Sequence, residues 1–361
     1  MASRLYTLAD LLRGYRRNDP GSFVRSADFK RLIGFMAAGG PAPSSRSVAM
    51  AQARHDAGIG WALREHIAAR RPCMVAVMGG HGLARDAAAW PTIAGITREL
   101  ARRGYMIVTG GGPGAMEAAH FGAWFAGAPD AVFAAATAAM AQAPLLPANL
   151  NELFDPASCA LRQERRDLIE AVAAWQNTAL AARDLIGEAA PGESIAMPTW
   201  LYASEPTNVF ATAYAKYYQD AIREETLVAE GKAGTIYAQG SGGTLRELFQ
   251  AVEYNTYITA PERFQPMIFA DPDDFWRTDP AYDAAGRPIG PPGIDLGPVI
   301  KPILKAPLAA KGWWDRCEGK IRFTTDIDEI DQILQAHAAT AQSRLTAILD
   351  GELPTFPMQR C

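Results

Sequence analysis

Two kinds of pattern alternate along the middle of the chain. At 74–78 (Met-Val-Ala-Val-Met) and 105–109 (Tyr-Met-Ile-Val-Thr), short unbroken runs are closed by glycines, Gly79-Gly80 and Gly110-Gly111-Gly112. Between them, over 87–103, apolar residues recur at helical spacing. A short apolar run ended by glycine predicts a strand buried on both faces, and a helical stretch between two such runs predicts a crossover helix. Further strand runs lie at 194–197, 234–238, 266–270 and 320–323, most of them separated by helical patterns. The alternation predicts an α/β fold: a doubly wound, mostly parallel Rossmann-like sheet with its ligand site at the carboxyl ends of the strands.

Two stretches stand outside that alternation. Residues 1–70 carry Leu8, Leu11 and Leu12, then Ile59, Trp61 and Leu63, near helical spacing, with a Gly-Gly-Pro-Ala-Pro-Ser-Ser break at 39–45. They predict a helical N-terminal extension packed on the main body. Residues 128–191 begin Ala-rich and continue into Leu161-Arg162-Gln163-Glu164-Arg165-Arg166-Asp167, which predicts a helical insertion in a crossover, a candidate lid. The expected plan is the extension, a nucleotide-binding body over 71–350 carrying the insertion, and a short tail at 351–361. No repeat of fixed period is visible, which sets solenoids aside.

Composition narrows the class. With 361 residues, 49% hydrophobic and 20% charged, the chain can bury a large core and is neither disordered nor fibrous. A net charge of -4, without a basic stripe, argues against nucleic acid as a partner. Cys73, Cys159, Cys317 and Cys361 lie far apart with no CxxC pair, so neither a metal site nor a disulfide framework is indicated, and reduced cytoplasmic thiols fit best. The start, Met-Ala-Ser-Arg-Leu-Tyr-Thr, lacks signal-peptide order. The most apolar stretch, 131–141, is shorter than the ~20 residues a bilayer requires, so no membrane partner is expected.

Two glycine turns carry the candidate chemistry. Thr109-Gly110-Gly111-Gly112-Pro113-Gly114-Ala115-Met116-Glu117 follows a strand and opens a helix; Tyr237-Ala238-Gln239-Gly240-Ser241-Gly242-Gly243-Thr244-Leu245-Arg246-Glu247-Leu248 repeats the arrangement. Missing Cβ atoms let backbone approach a phosphate, and a helix N-terminus offers free N–H groups to an anion. Gly79 and Gly80, which end the first strand, join these residues in the expected binding set, as do Met116 and Glu117. Neither turn completes the dinucleotide fingerprint, because Glu117 and Leu245 stand where its last glycine belongs, and neither ends in the Lys-Ser/Thr of a P-loop. Packing alone is the plainer reading of either turn by itself; two in one sheet favour a shared ligand.

Together with Glu205-Pro206-Thr207-Asn208 and Arg223, these turns make the chain resemble the Lonely Guy family and its larger nucleotide-nucleosidase relatives, over roughly Met74 to the helix after Phe323. The resemblance implies cleavage of the N-glycosidic bond of a nucleoside 5′-monophosphate, or of a cytokinin-type derivative, to free base and ribose 5-phosphate. It implies no metal or redox cofactor and a homodimer or larger homo-oligomer. It places Arg223 and Glu247 at the catalytic arginine and at the glutamate ending PGGxGTxxE, Gly243 and Thr244 at the phosphate, and Gly110 to Gly114 along the other side of the nucleotide.

That pairing suits the chemistry. Departure of the base builds positive charge on the ribose, which a carboxylate can stabilise while it orients water. Arg223 can clamp phosphate or support the leaving base. Without the resemblance, Glu247 reads as a first-turn helix acid and Arg223 as a surface residue beside Glu224 and Glu225. The chain departs from the family at Gln239 (usually Pro), Ser241 (usually Gly), Glu224 (usually Lys) and Arg246 (usually the first acid of a Glu-Glu pair). A non-catalytic nucleotide sensor of the same fold is the alternative function, and a dinucleotide-dependent oxidoreductase ranks third. His81 reads equally as ligand contact or loop residue, His120, Trp124 and Phe125 as packing, and Arg162, Arg165 and Arg166 as a solvated charged face.

Overall fold

A computed structural model describes residues 4–70, 73–155, 157–158, 160–202, 205–289 and 292–349; Cys159, Cys361 and the tail at 351–361 lie outside them. The helical N-terminal extension contributes α1 (Leu8–Leu12), α2 (Ala27–Ala37) and α3 (Arg46–Arg70), with the Gly-Pro-Ser break between α2 and α3. Strands and helices then alternate: β1 (Cys73–Met78), α4 (Ala89–Arg102), β2 (Tyr105–Thr109), α5 (Ala115–Trp124), α6 (Asp130–Met140), α7 (Arg166–Asp184), β3 (Ser194–Ala196) and β4 (Ala213–Tyr214). The second half adds α8 (Asp220–Glu230), β5 (Gly234–Tyr237), α9 (Gly242–Thr256), β6 (Met267–Phe269), a small hairpin of β7 (Ala281–Tyr282) and β8 (Pro288–Ile289), α10 (Gly297–Ala310), α11 (Trp314–Cys317), β9 (Ile321–Phe323) and α12 (Ile327–Leu349).

Seven strands form one sheet in the order β4-β3-β2-β1-β5-β6-β9, and every neighbouring pair is parallel. The seven strands of the expected mostly parallel sheet are thus wholly parallel to one another, whereas β7 and β8 pair antiparallel. The chain builds outward from β1 to β4 on one side, then resumes at β5 on the other, so the winding reverses between β1 and β5. In sheets of this kind that reversal opens a crevice at the carboxyl ends of the strands.

The apolar runs are unbroken because both faces of the sheet are covered. Val75 and Val77 of β1 join a core with Trp90, Ile93, Phe121 and Phe125 of α4, α5 and the residue after α5, and with Ile330 and Leu334 of α12. The alternate residues, Met74, Ala76 and Met78, pack with Ile59 and Leu63 of α3, Leu227 of α8, Leu248 of α9 and Leu304 of α10. The long helix of the N-terminal extension is therefore one of the layers on the sheet. Tyr6 pairs antiparallel with Tyr214 of β4 through two backbone bonds of 2.9 Å, which covers that sheet edge.

A third core unites the two stretches outside the strand alternation. Phe23, Phe29, Leu32 and Phe35 of the extension pack with Leu150, Leu153, Phe154, Leu168 and Val172 of 128–191 and with Trp200. The far ends of the same insertion, Ala136 and Met140 of α6 and Ala179 and Leu180 of α7, belong to the main core instead. No helix among the described residues is long and apolar enough to cross a membrane.

Candidate functional site

The crevice at the winding reversal is floored by three glycine loops. Gly79-Gly80 after β1 is the seam between the other two: the Gly80 amide donates to the Gln239 carbonyl at 2.9 Å, and its carbonyl accepts from the Ala115 amide at 3.1 Å. Close approach fixes two of the glycines. Gly114, at φ +69°, has no room for a β-carbon against the Gly80 carbonyl oxygen, and a methyl group at Gly240 would overlap Thr244 Oγ1 and lie 2.9 Å from the Gly80 nitrogen. Ser241, where the resemblance expects glycine, needs no left-handed backbone, since its φ is -122°.

Both flanking helices begin at the crevice, α5 with its first amide, that of Ala115, already bonded to Gly80. Gly114 precedes α5 and Ser241 precedes α9, and neither supplies a side-chain cap. The first four amides of a helix have no intrahelical partner, and at α9 Leu245 N, bonded to Ser241 O at 2.9 Å, is the first to be paired. Methyl groups at Gly242 and Gly243 would meet nothing within 4 Å, so the start of α9 has open space on that side. The dipole of such a helix start favours an anion. Met116 lies along the first loop, its sulfur 3.0 Å from where a β-carbon on Gly110 would sit, and Gly111 donates its amide to Thr109 Oγ1 at 2.8 Å.

Arg223 of α8 and Glu247 of α9 meet here. Their side chains pair at 3.1 Å (Nη1 to Oε1), while Arg223 Nη2 donates to Asp220 Oδ1 at 2.7 Å. Arg223 is 6% exposed and Glu247 7%, so neither is the solvated surface residue that sequence pattern alone suggested. A β-carbon on Gly110 would lie 3.2 Å from Arg223 Nη1, which puts the pair between the two glycine loops. Burial pushes the Glu247 carboxyl up to about 7; Arg223 pulls it down, and Glu224 and Asp220 push it further up. Burial opposes the Arg223 charge, but the acids around it outweigh that and hold the guanidinium above its ordinary value.

This raised acid predicts a pH dependence of stability. Between its ordinary value of 4.5 and about 7, the folded chain retains a proton on Glu247 that the unfolded chain has released. Stability is therefore fully present below about 4.5, is lost as pH rises, and levels off above 7. Glu205 and Glu224, also raised by burial, act in the same direction. Urea unfolding at pH 5 and pH 8 should show the weaker protein at pH 8, with Glu247→Gln narrowing the difference.

Two departures from the family pattern meet in space. Glu224 is buried and pairs with Arg246 at 2.8 Å between Nε and Oε2. Where the resemblance expects lysine and glutamate, this chain has glutamate and arginine, and here the two form an ion pair. Glu224→Lys and Arg246→Glu should each destabilise the fold, and the double variant should recover a coupling of about 2 kcal/mol in a urea-denaturation cycle.

The outer wall of the crevice comes from the insertion. A cavity of about 260 Å³ is lined by His81, Pro113, Gly114 and Glu117 on one side and by Pro144 to Pro147, Asn149, Asn151 and Trp175 on the other. Glu117, one of the expected binding residues, is buried there and gripped bidentately by Arg85, at 2.7 and 2.6 Å. The Arg85 guanidinium also stacks 3.6 Å from the Trp175 ring centre. Sequence reasoning missed Arg85 because its partner is 32 residues away and no local spacing ties them.

His81 is exposed on the cavity rim, whereas His120 is fully buried, bonded to Thr109 Oγ1 at 2.9 Å and pushed down to about 3 by burial. Trp124 and Phe125 are core residues. Arg162, Arg165 and Arg166 pair with Asp155, with Glu152 and Asp167, and with Glu170, all within the insertion. Asp220 and Glu205 also went unassigned, although Asp220 lies one helical turn before Arg223. Among the described residues no three His, Cys, Asp or Glu are grouped to hold a metal ion.

No protein-family model matches this chain, and no curated protein matches it, so its resemblance to the Lonely Guy family rests on the sequence motifs alone.

Proposed function

We propose that the chain is a nucleoside 5′-monophosphate nucleosidase, hydrolysing the N-glycosidic bond to free base and ribose 5-phosphate. The observation that carries this reading is the Arg223–Glu247 pair, desolvated between two uncapped helix N-termini where the sheet reverses its winding. The amides of Gly242, Gly243 and Thr244 take the phosphate. The ribose then lies toward Glu247, whose carboxylate stabilises the cation that develops as the base leaves and accepts a proton from the attacking water. Arg223 has both terminal nitrogens committed to acids, which favours a positioning role on Glu247 over a phosphate clamp.

The resemblance extends to a homo-oligomer, for which Ile222 on α8, Phe249 and Tyr254 on α9 and Val299 and Ile303 on α10 supply exposed apolar side chains.

Incubation with a panel of nucleoside 5′-monophosphates, followed by chromatography for free base, tests the activity. Release from at least one substrate, lost in Arg223→Ala, is the expected result. Tight nucleotide binding without release from any of them would instead mark a sensor, and bound NAD with hydride transfer an oxidoreductase.

A further inference from the structure

Resting on that reading, we propose that Glu205 is a second catalytic carboxyl, which donates a proton to the base as the glycosidic bond breaks, while Glu247 serves the ribose and the attacking water. The segment between β3 and β4 carries Glu205 to the bare face of the first glycine loop. A β-carbon on Gly112 would lie 3.0 Å from its Oε2 and 3.1 Å from its Cδ. Its backbone amide donates to Tyr202 O, but its side chain has no hydrogen bond or ion pair among the described residues.

That lack of a partner sets it apart from the other acids of the crevice. Glu247 and Asp220 are held by Arg223, Glu117 by Arg85 and Glu224 by Arg246. Glu205 is half-buried, and a carboxyl screened from water with no partner is costly to ionise, which suits a group that carries a proton to a ligand. Burial raises the Glu205 carboxyl; Arg223 on α8, His81 after β1 and Lys216 after β4 pull it back, and Asp220 adds to the rise. Two acids in unlike surroundings, one ion-paired and one not, divide naturally into base and acid.

The segment is braced so that this carboxyl stays in place. Asn208 Nδ2 donates to the Gly112 carbonyl at 3.4 Å, tying Glu205's segment to the loop it faces. Thr207 Oγ1 donates to Asp28 Oδ2 of the extension, and the Thr207 carbonyl accepts from Gln176 of α7 at 3.1 Å. Extension and insertion thus converge on the residues that follow Glu205.

The step balances. The bond between C1′ and the base nitrogen breaks with its electron pair going to the base, which takes the Glu205 proton. Water adds to C1′ and passes a proton to the Glu247 carboxylate, and solvent exchange returns Glu247 and Glu205 to their starting forms. Base and ribose 5-phosphate are the only products.

The test uses the full chain with two substrates: the nucleoside monophosphate that it cleaves, and 4-nitrophenyl β-D-ribofuranoside 5-phosphate, whose phenolate leaves without a proton. Glu205→Gln should lower kcat on the nucleotide about 10²-fold or more, with KM little changed, yet cleave the nitrophenyl substrate within a few-fold of the unmodified chain. The alkaline fall of nucleotide cleavage should also vanish in Glu205→Gln. Glu247→Gln should lose both substrates. Equal slowing of both substrates by Glu205→Gln, or slowing of neither, overturns the assignment of Glu205. If the unmodified chain releases neither base nor nitrophenol, the nucleosidase reading itself falls.

Discussion

Glu247→Gln should lower the rate of base release about 10³-fold while nucleoside monophosphate still binds. The amide is nearly isosteric with the carboxyl, so the packing around α9 survives and the Gly242–Thr244 amides, the proposed phosphate site, are untouched. What disappears is the negative charge facing the ribose and the acceptor for a proton from water. Single-turnover base release and equilibrium nucleotide binding, measured on the same preparation, separate these effects. A variant that folds, binds nucleotide and keeps the full rate would remove Glu247 from the chemistry. In the unmodified chain, kcat/KM should rise as pH passes through about 7, where the Glu247 carboxyl becomes charged, and that rise should be missing in the glutamine variant.

The largest loss of stability is expected far from that carboxyl, at Asp28. This buried aspartate of α2 accepts from Trp200 Nε1 at 2.9 Å, from Thr207 Oγ1 and from the buried Lys216 Nζ at 2.8 Å. Asp28→Ala strands a lysine charge and two donors away from water, and removing one partner of such a pair costs about 3 kcal/mol or more. Adding Lys216→Met removes the stranded charge and should recover much of the loss. Urea midpoints of the two variants decide this: equal midpoints would mean that the ion pair does not hold the extension in place.

The sheet was legible in the sequence because its strands are buried on both faces, so 74–78 and 105–109 appear as unbroken apolar runs ended by glycine. At β4 that signal fails. Two residues, Ala213 and Tyr214, are too few to show any period, and their partner Tyr6 lies at the other end of the chain. Arg223 and Glu247 were legible only through the family motif, since flanking acids and a helix N-terminus give both the local appearance of surface residues. Their burial depends on β1, β2 and β5 bringing α8, α9 and the first glycine loop together. Glu224 and Arg246 were each visible as departures, but their pairing with each other belongs to the packing of α8 on α9.

The core shared by Phe23, Phe29, Leu32 and Phe35 with Leu150, Leu153, Phe154, Leu168 and Val172 has a consequence for descent and for engineering. Neither half can be deleted without baring the apolar side of the other, so the two stretches form a single heritable module despite their separation along the chain. A shorter relative should lack both, or carry polar side chains where this core would have been. Grafting the module onto a smaller protein of this fold would likewise require both pieces to be transplanted in one step.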